Sequence, residues 1–368
     1  MNASLPLADE LILAHQSKIT PLFDRFEEKQ TLHSTLLFTG IEGVGKKSLA
    51  LYLIQTLFCD QSIFAIKREE EDLFGGSLFG DAPEPKAALT GRAPCGKCPS
   101  CIRAAQNQWL DLFWFDPETN EEGTRLGTHK IDAFRELKSK LGMGPSEEPF
   151  RVVVIADADR MTPQAANSIL KMLEEPPKNW IFILTASDSS RLLPTILSRC
   201  MEIKFNPLQS EQVYSILKSS KGLEFQSTRG QVASRAAMGS LTRAQSYLSE
   251  EVWELRDRIL GLLSSPTHEW MKLIDSMAQS QQSMNLALDL IESIFSDLLQ
   301  SQVIGSAHRW IHEDQKELLI QLAETKKLDI ARLTRILSET SEKRKFTTLT
   351  LNGKLLAQEI LIPILESL

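Results

Sequence analysis

The sequence predicts an α/β domain with a parallel sheet and a phosphate loop, followed by helices to the end of the chain. Three observations carry this. Short apolar runs alternate with helix-period stretches as far as Asn206. A glycine-rich turn, Gly40-Ile41-Glu42-Gly43-Val44-Gly45-Lys46-Lys47, lies between the first such run and the first such stretch. Residues 251–368 contain only two prolines, Pro266 and Pro363, and three glycines. Alternating strand and helix is the pattern of a parallel α/β unit, and a long stretch poor in both breakers reads as helical.

Thr35–Thr39 (TLLFT) reads as a short strand ended by Gly40. After the loop, Leu49, Leu53, Ile54, Leu57 and Phe58 recur at helical spacing. Lys67–Pro94 combines an acidic run with Gly and Pro and reads as a solvated insertion. WLDLFWF (109–115) is a strand candidate, and KIDAFRELKSKLG (130–142) a helix with Ile131, Phe134, Leu137 and Leu141 on one face. Arg151–Asp159 (RVVVIADAD) is the continuous β-branched run expected of a strand buried on both faces. Thr162-Pro163 supplies a hydroxyl cap and a first-turn proline for the next helix, which Pro176-Pro177 ends; WIFILTAS is another buried strand. Past Pro207 the character changes. The expected domains are 1–206, containing a cysteine module at 59–101, a small helical domain at 207–250 with a boundary at Gly239-Ser240, and an all-helical domain at 251–368.

Charge narrows the function classes. Among 368 residues, Lys+Arg 41 against Asp+Glu 48 gives 41 − 48 = −7. Nucleic-acid backbones are gripped by excess cationic charge, so this chain is not expected to hold one unaided. Asp9 and Glu10 stand where a secretory leader would be apolar, and no run approaches the roughly 18 apolar residues of a membrane span. The expectation is a cytoplasmic protein with no membrane partner.

Five cysteines are few for a disulfide scaffold. Cys95, Cys98 and Cys101 form CxxCxxC, with Cys59 upstream and Cys200 far downstream. Two-residue spacers let a tight turn aim successive sulfurs at one point, and four soft sulfur ligands favour structural Zn²⁺. The fourth ligand read here is Cys59, at the end of the helix before the insertion; the alternative is a redox or simply buried cluster.

The turn matches GxxxxGK and then departs. In a phosphate loop the backbone N–H groups at Gly40, Gly43 and Gly45 would curl around phosphates, Lys46 would neutralise them, and the next residue would lend a hydroxyl to Mg²⁺. That next residue is Lys47. A second cation cannot coordinate a metal, so ATP could still be a ligand but hydrolysis is not expected. The acidic strand ends Ile155-Ala156-Asp157-Ala158-Asp159 rather than in adjacent acids, a second defect. Ser198-Arg199-Cys200 precedes the strand-like MEIKF; position alone gives Arg199 a surface salt bridge.

NSILKMLEEPP (Asn167–Pro177), TILSRC (Thr195–Cys200), the cysteine module and the phosphate-loop remnant follow one another in an order that resembles the bacterial DNA polymerase III clamp loader, and within it the delta-prime group. The likeness covers about residues 15–250 by motif, and the helical remainder fits the family's collar. It implies an AAA+ fold with a zinc-binding insertion, a helical lid and a collar. It also implies that Arg199 acts in trans on ATP held by a neighbouring gamma subunit. The family's active ATPases carry Asp-Glu where this chain has Ala156-Asp157, a hydroxyl where it has Lys47, and a lid arginine where it has Thr242, with Arg243 adjacent. The implied role is a largely non-hydrolysing clamp-loader subunit. Its partners would be gamma/tau and delta subunits in a hetero-pentamer, acting on a sliding clamp and primer-template DNA at the replisome. The rivals are a gamma/tau-like ATPase that tolerates an unusual loop, and a zinc-dependent nucleic-acid-binding module.

Overall fold

The structure is a computed structural model that describes residues 9–29, 32–62, 93–106, 108–118, 127–132, 134–135, 137, 150–221, 227–263, 270–344 and 353–367. Most of the acidic insertion and all of the stretch 138–149 lie outside the described residues. The chain forms two compact units that part between Asn206 and Pro207.

The first unit is built on five parallel strands: β1 (Thr35–Thr39), β2 (Leu112–Phe115), β3 (Arg151–Ile155), β4 (Trp180–Ala186) and β5 (Met201–Lys204), in the order β2-β3-β4-β1-β5. The three central strands are buried along their whole length, which is why they read as unbroken apolar runs. At the edges β2 is half-buried and β5 keeps only Ile203 fully inside. Register is set by pairs such as Leu37↔Leu184 and Val153↔Phe182. Where β2 and β3 begin, Arg151 Nε donates to Asp111 at 3.1 Å, and both residues are buried. The guanidinium lies over the Phe113 and Trp180 rings at 5.8 and 5.3 Å, so desolvation of the pair is met by a hydrogen bond and two aromatic faces.

Five helices of this unit bear on the site: α1 (Asp9–Ala14), α2 (Gln16–Lys29), α3 (Lys46–Phe58), α4 (Pro99–Ala105) and α5 (Pro163–Glu174). The Thr162 side chain accepts from the Ala165 N–H, with Pro163 in the first turn, as the sequence predicts. A four-residue helix, Pro194–Leu197, leads into Ser198-Arg199-Cys200 and β5. Of the face expected at 130–142, Phe134 and Leu137 are buried against the sheet, and Leu141 lies outside the described residues.

Among the described residues of the second unit, every regular element is a helix. Ser240 caps the helix Leu241–Ser246 by accepting from the Arg243 N–H, so Gly239-Ser240 is indeed a helix boundary. The longest helix, Gln281–Ile304, runs through an apolar cluster that draws on Ala233, Ala236 and Tyr247 as well as on residues as far as Ile364. Inside it Asp297 accepts from the Ile311 and His312 N–H groups, each at 2.8 Å, and from His308 Nε2 at 3.0 Å. His312 Nε2 lies 2.9 Å from Ser293 Oγ.

Among the described residues, no helix is long and apolar enough to cross a membrane.

Candidate functional site

Parallel strands present their carboxyl ends to one edge of the sheet, and in open α/β sheets that edge is where ligands bind. Here the edge carries Asp116 after β2, Asp157 after β3, Ser187 after β4 and the glycine loop after β1. All four are brought together around two lysines.

The loop takes the left-handed backbone its glycines allow. Gly45 sits at φ 102° as the N-cap of α3, and Gly40 sits at φ 148° so close to Phe205 that a Cβ would come within 2.4 Å of its carbonyl oxygen. Lys46 is 5% exposed, and its Nζ donates to Gly40 O at 2.5 Å, Ile41 O at 2.8 Å and Ser187 Oγ at 3.2 Å. Burial lowers its pKa, opposed by the charges of Asp157 and Asp159. The lysine that would meet a phosphate therefore spends its donors on two carbonyls of its own loop and on Ser187. The N-terminal helices close the other side. His15 Nε2 donates to Val44 O at 2.9 Å, and the Leu11 side chain packs where a Cβ on Gly45 would stand.

Lys47 reaches the other way. Its Nζ is 2.9 Å from Asp157 Oδ2 and 3.3 Å from Asp116 Oδ1. Desolvation opposes its charge, but the Asp157 and Asp116 carboxylates prevail and raise its pKa. Asp116 is steadied by Trp114 Nε1 at 3.0 Å, and the Asp157 N–H donates to Thr185 Oγ1 at 2.9 Å. Asp157 itself stands at φ 51°, a conformation that only small polar side chains adopt readily. An ammonium thus lies between the two carboxylates. Asp159 turns aside: its Oδ2 accepts from the Asp188 N–H at 3.2 Å, and its buried Oδ1 has no partner among the described residues.

The cysteines form a second centre. Cys59 caps the C-terminus of α3, and Cys95, Cys98 and Cys101 lead into and along α4. Their four sulfurs lie within 4.8 Å of one another, with Cys95–Cys101 and Cys59–Cys98 each at 4.0 Å. Tetrahedral zinc with Zn–S bonds of ~2.3 Å needs sulfurs about 3.8 Å apart. Backbone N–H groups point at these sulfurs: Cys95 N at Cys59, Lys97 N and Cys98 N at Cys95, and Cys101 N at Cys98. Such donors favour thiolate over thiol. Burial pushes the Cys95 thiol up, but the Lys97 and Cys98 amides bring it down to about 7, whereas burial holds the Cys59 and Cys101 thiols above their ordinary value. The donor set fits a four-thiolate metal. Cys200 stands apart, its thiol pushed up by burial to about 12.

Arg199 lies outside both clusters. It is paired with Glu174 at the end of α5, and Nη1 donates to Thr195 O at 2.6 Å. Arg243 is committed within the helical unit to Asp289, which Arg344 also holds. Sequence reasoning passed over Asp116, Ser187 and Glu174. The available signal for the first two was their place immediately after apolar strands, the position that faces a ligand in this architecture.

Residues 77–209 match a family described as DNA polymerase III, delta subunit. The chain is 26% identical over 306 residues to the DNA polymerase III subunit delta' of Bacillus subtilis, covering 81% of each, and 26% identical over 336 residues to that of Escherichia coli, covering 90% of this chain and 89% of the relative. It is 25% identical over 292 residues to the Escherichia coli tau subunit, of which it spans only 40%. Among solved structures, a gamma subunit-related protein of Thermotoga maritima aligns over 96% of this chain and 99% of its own at 18% identity, with a TM-score of 0.40. Over most of its length the chain is thus similar in sequence to the delta' and tau subunits of bacterial DNA polymerase III.

Proposed function

We propose that this chain is the delta-prime-type subunit of a replicative clamp loader, an AAA+ component that does not turn over ATP itself but lends Arg199 to ATP bound by a neighbouring gamma/tau subunit. The observation that carries this is the pairing of Lys47 with Asp157 at the carboxyl edge of the sheet. A phosphate loop whose second lysine neutralises the acid that follows β3 has no room for the Mg²⁺ that hydrolysis needs. The Arg199 side chain, by contrast, is 30% exposed, and its guanidinium carries donors suited to a phosphoryl group.

In this reading residues 1–206 are the AAA+ domain with a structural zinc held by Cys59, Cys95, Cys98 and Cys101. Residues 207–250 are the lid, and 251–368 the collar through which gamma/tau and delta subunits join it in a hetero-pentamer. Zinc would tie α3 to α4 and take no part in phosphoryl transfer. Sliding clamp and primer-template DNA are reached through the assembly, consistent with the net charge of −7.

The test is ATP turnover with and without partners. The purified chain should hydrolyse ATP no faster than a Lys46→Ala variant. In the complex reconstituted with gamma and delta subunits, Arg199→Ala should lower the turnover of the assembly. Turnover by the chain alone that disappears in Lys46→Ala would make it an ATPase and overturn the proposal.

A further inference from the structure

The contact between Arg199 and Glu174 is unusual in what each partner gives up. Glu174 is the last residue of α5 and is followed by Glu175. A helix C-terminus carries partial negative charge, so a carboxylate there is disfavoured unless a cation answers it. Arg199 supplies the cation through Nη2. Its Nη1 turns back onto Thr195 O at 2.6 Å and lies 3.3 Å from Ser198 Oγ. Its Nε is buried with no hydrogen-bond partner among the described residues. A guanidinium binds an oxyanion best through two parallel N–H groups of its fork, and here the carboxylate is met by one. The side chain is folded against its own helix, held by one anion, with a donor unspent.

We infer that Glu174 is a competing anion: it withholds Arg199 until a nucleotide phosphate of the neighbouring subunit displaces the carboxylate. This rests on the role proposed above for Arg199. A phosphate offers more charge than a carboxylate and more oxygens to the fork, so the exchange runs toward phosphate once a loaded neighbour is in place. The pair is partly solvated, with side chains 30% and 43% exposed, so it is weak enough to exchange. Glu174 is then a residue that sets how much ATP is needed to recruit the arginine, not one that aids the chemistry.

The experiment measures ATP hydrolysis by the reconstituted complex against ATP concentration, with Glu174→Gln and Glu174→Lys in this subunit. Removing the competitor should lower half-saturating ATP by about two- to fivefold, the range expected of a solvated ion pair. The lysine should lower it at least as far as the glutamine, and kcat should not fall. In an Arg199→Ala background neither change should have an effect, because the competition has lost its object. A fall in kcat would make Glu174 an orienting residue, and unchanged kinetics, or the same shift without Arg199, would make the contact merely structural; each overturns the inference. If Arg199→Ala itself leaves the assembly unaffected, the role proposed for Arg199 fails first, and the two failures are told apart. Thermal unfolding of the isolated variants checks that the fold is kept.

Discussion

The Nζ of Lys47 lies 2.9 Å from Oδ2 of Asp157, so the acid that ends β3 is neutralised from within the chain. An ion pair at this point does two things at once. It satisfies a carboxylate that would otherwise seek a metal, and it places positive charge where Mg²⁺ would have to arrive.

Replacing that lysine should open a cation site. Lys47→Ser removes the cation that pairs directly with Asp116 and Asp157, leaving only the more distant charge of Lys46 near Asp157. Mg²⁺ at ten times its dissociation constant should then stabilise the variant by about 1.4 kcal/mol, or roughly 3–6 °C in Tm, and leave the parent unmoved. Equal responses of the two proteins in a thermal melt with and without Mg²⁺ would show that the ammonium does not hold the site.

The arginine carries the largest kinetic effect. Donated arginines in phosphoryl transfer are worth about 10³–10⁵ in rate. Arg199→Ala should therefore reduce hydrolysis at the adjoining site by a factor approaching 10³, while this subunit melts at nearly its usual temperature. Single-turnover hydrolysis by the assembled complex is the measurement.

Metal content tests the cysteines. Elemental analysis should find about one zinc per chain, lost in Cys98→Ser together with stability of the first unit, because metal binding to such a site is coupled to folding. Zinc that survives this substitution, or never appears, would place the metal elsewhere or nowhere.

A pH effect should come from the second unit. Burial first, and then the charge of Arg256, holds His312 down to about 3, with Asp314 opposing. A base whose folded pKa lies below its unfolded value of about 6.5 takes up protons mainly in the unfolded state. Stability is then fully present above pH 6.5 and falls by up to about 1.4 kcal/mol per unit as pH drops toward 3. Asp297, whose carboxyl is raised by burial and lies among the same groups, acts in the opposite sense above pH 3.8. Denaturant unfolding of His312→Asn at pH 7.5 and 5.5 should show a smaller difference between the two pH values than the parent.

The parts that were legible in the sequence are local. TLLFT, the glycine turn and the helix after it are contiguous, and Cys95, Cys98 and Cys101 sit within seven residues, so spacing alone reports them. The meeting of Lys47 with Asp116 and Asp157 was hidden because it depends on strand order: β2 lies beside β3 at the far side of the sheet from β1. Glu174 and Arg199 are likewise joined only because α5 and the Pro194–Leu197 helix pack together, which periodicity does not encode.

The helix from Lys46 to Phe58 begins at the phosphate loop and ends at Cys59. At 13 residues it is a strut about 20 Å long. Its two ends are anchored by unrelated means, a knot of carbonyls around an amine at one and a quartet of sulfurs at the other. The helix is unbroken between them, so the sulfur cluster and the two adjacent amines at the opposite tip ride on the same element. The phosphate loop and the sulfur cluster are thus mounted on one rod, so a change at either end is felt at the other.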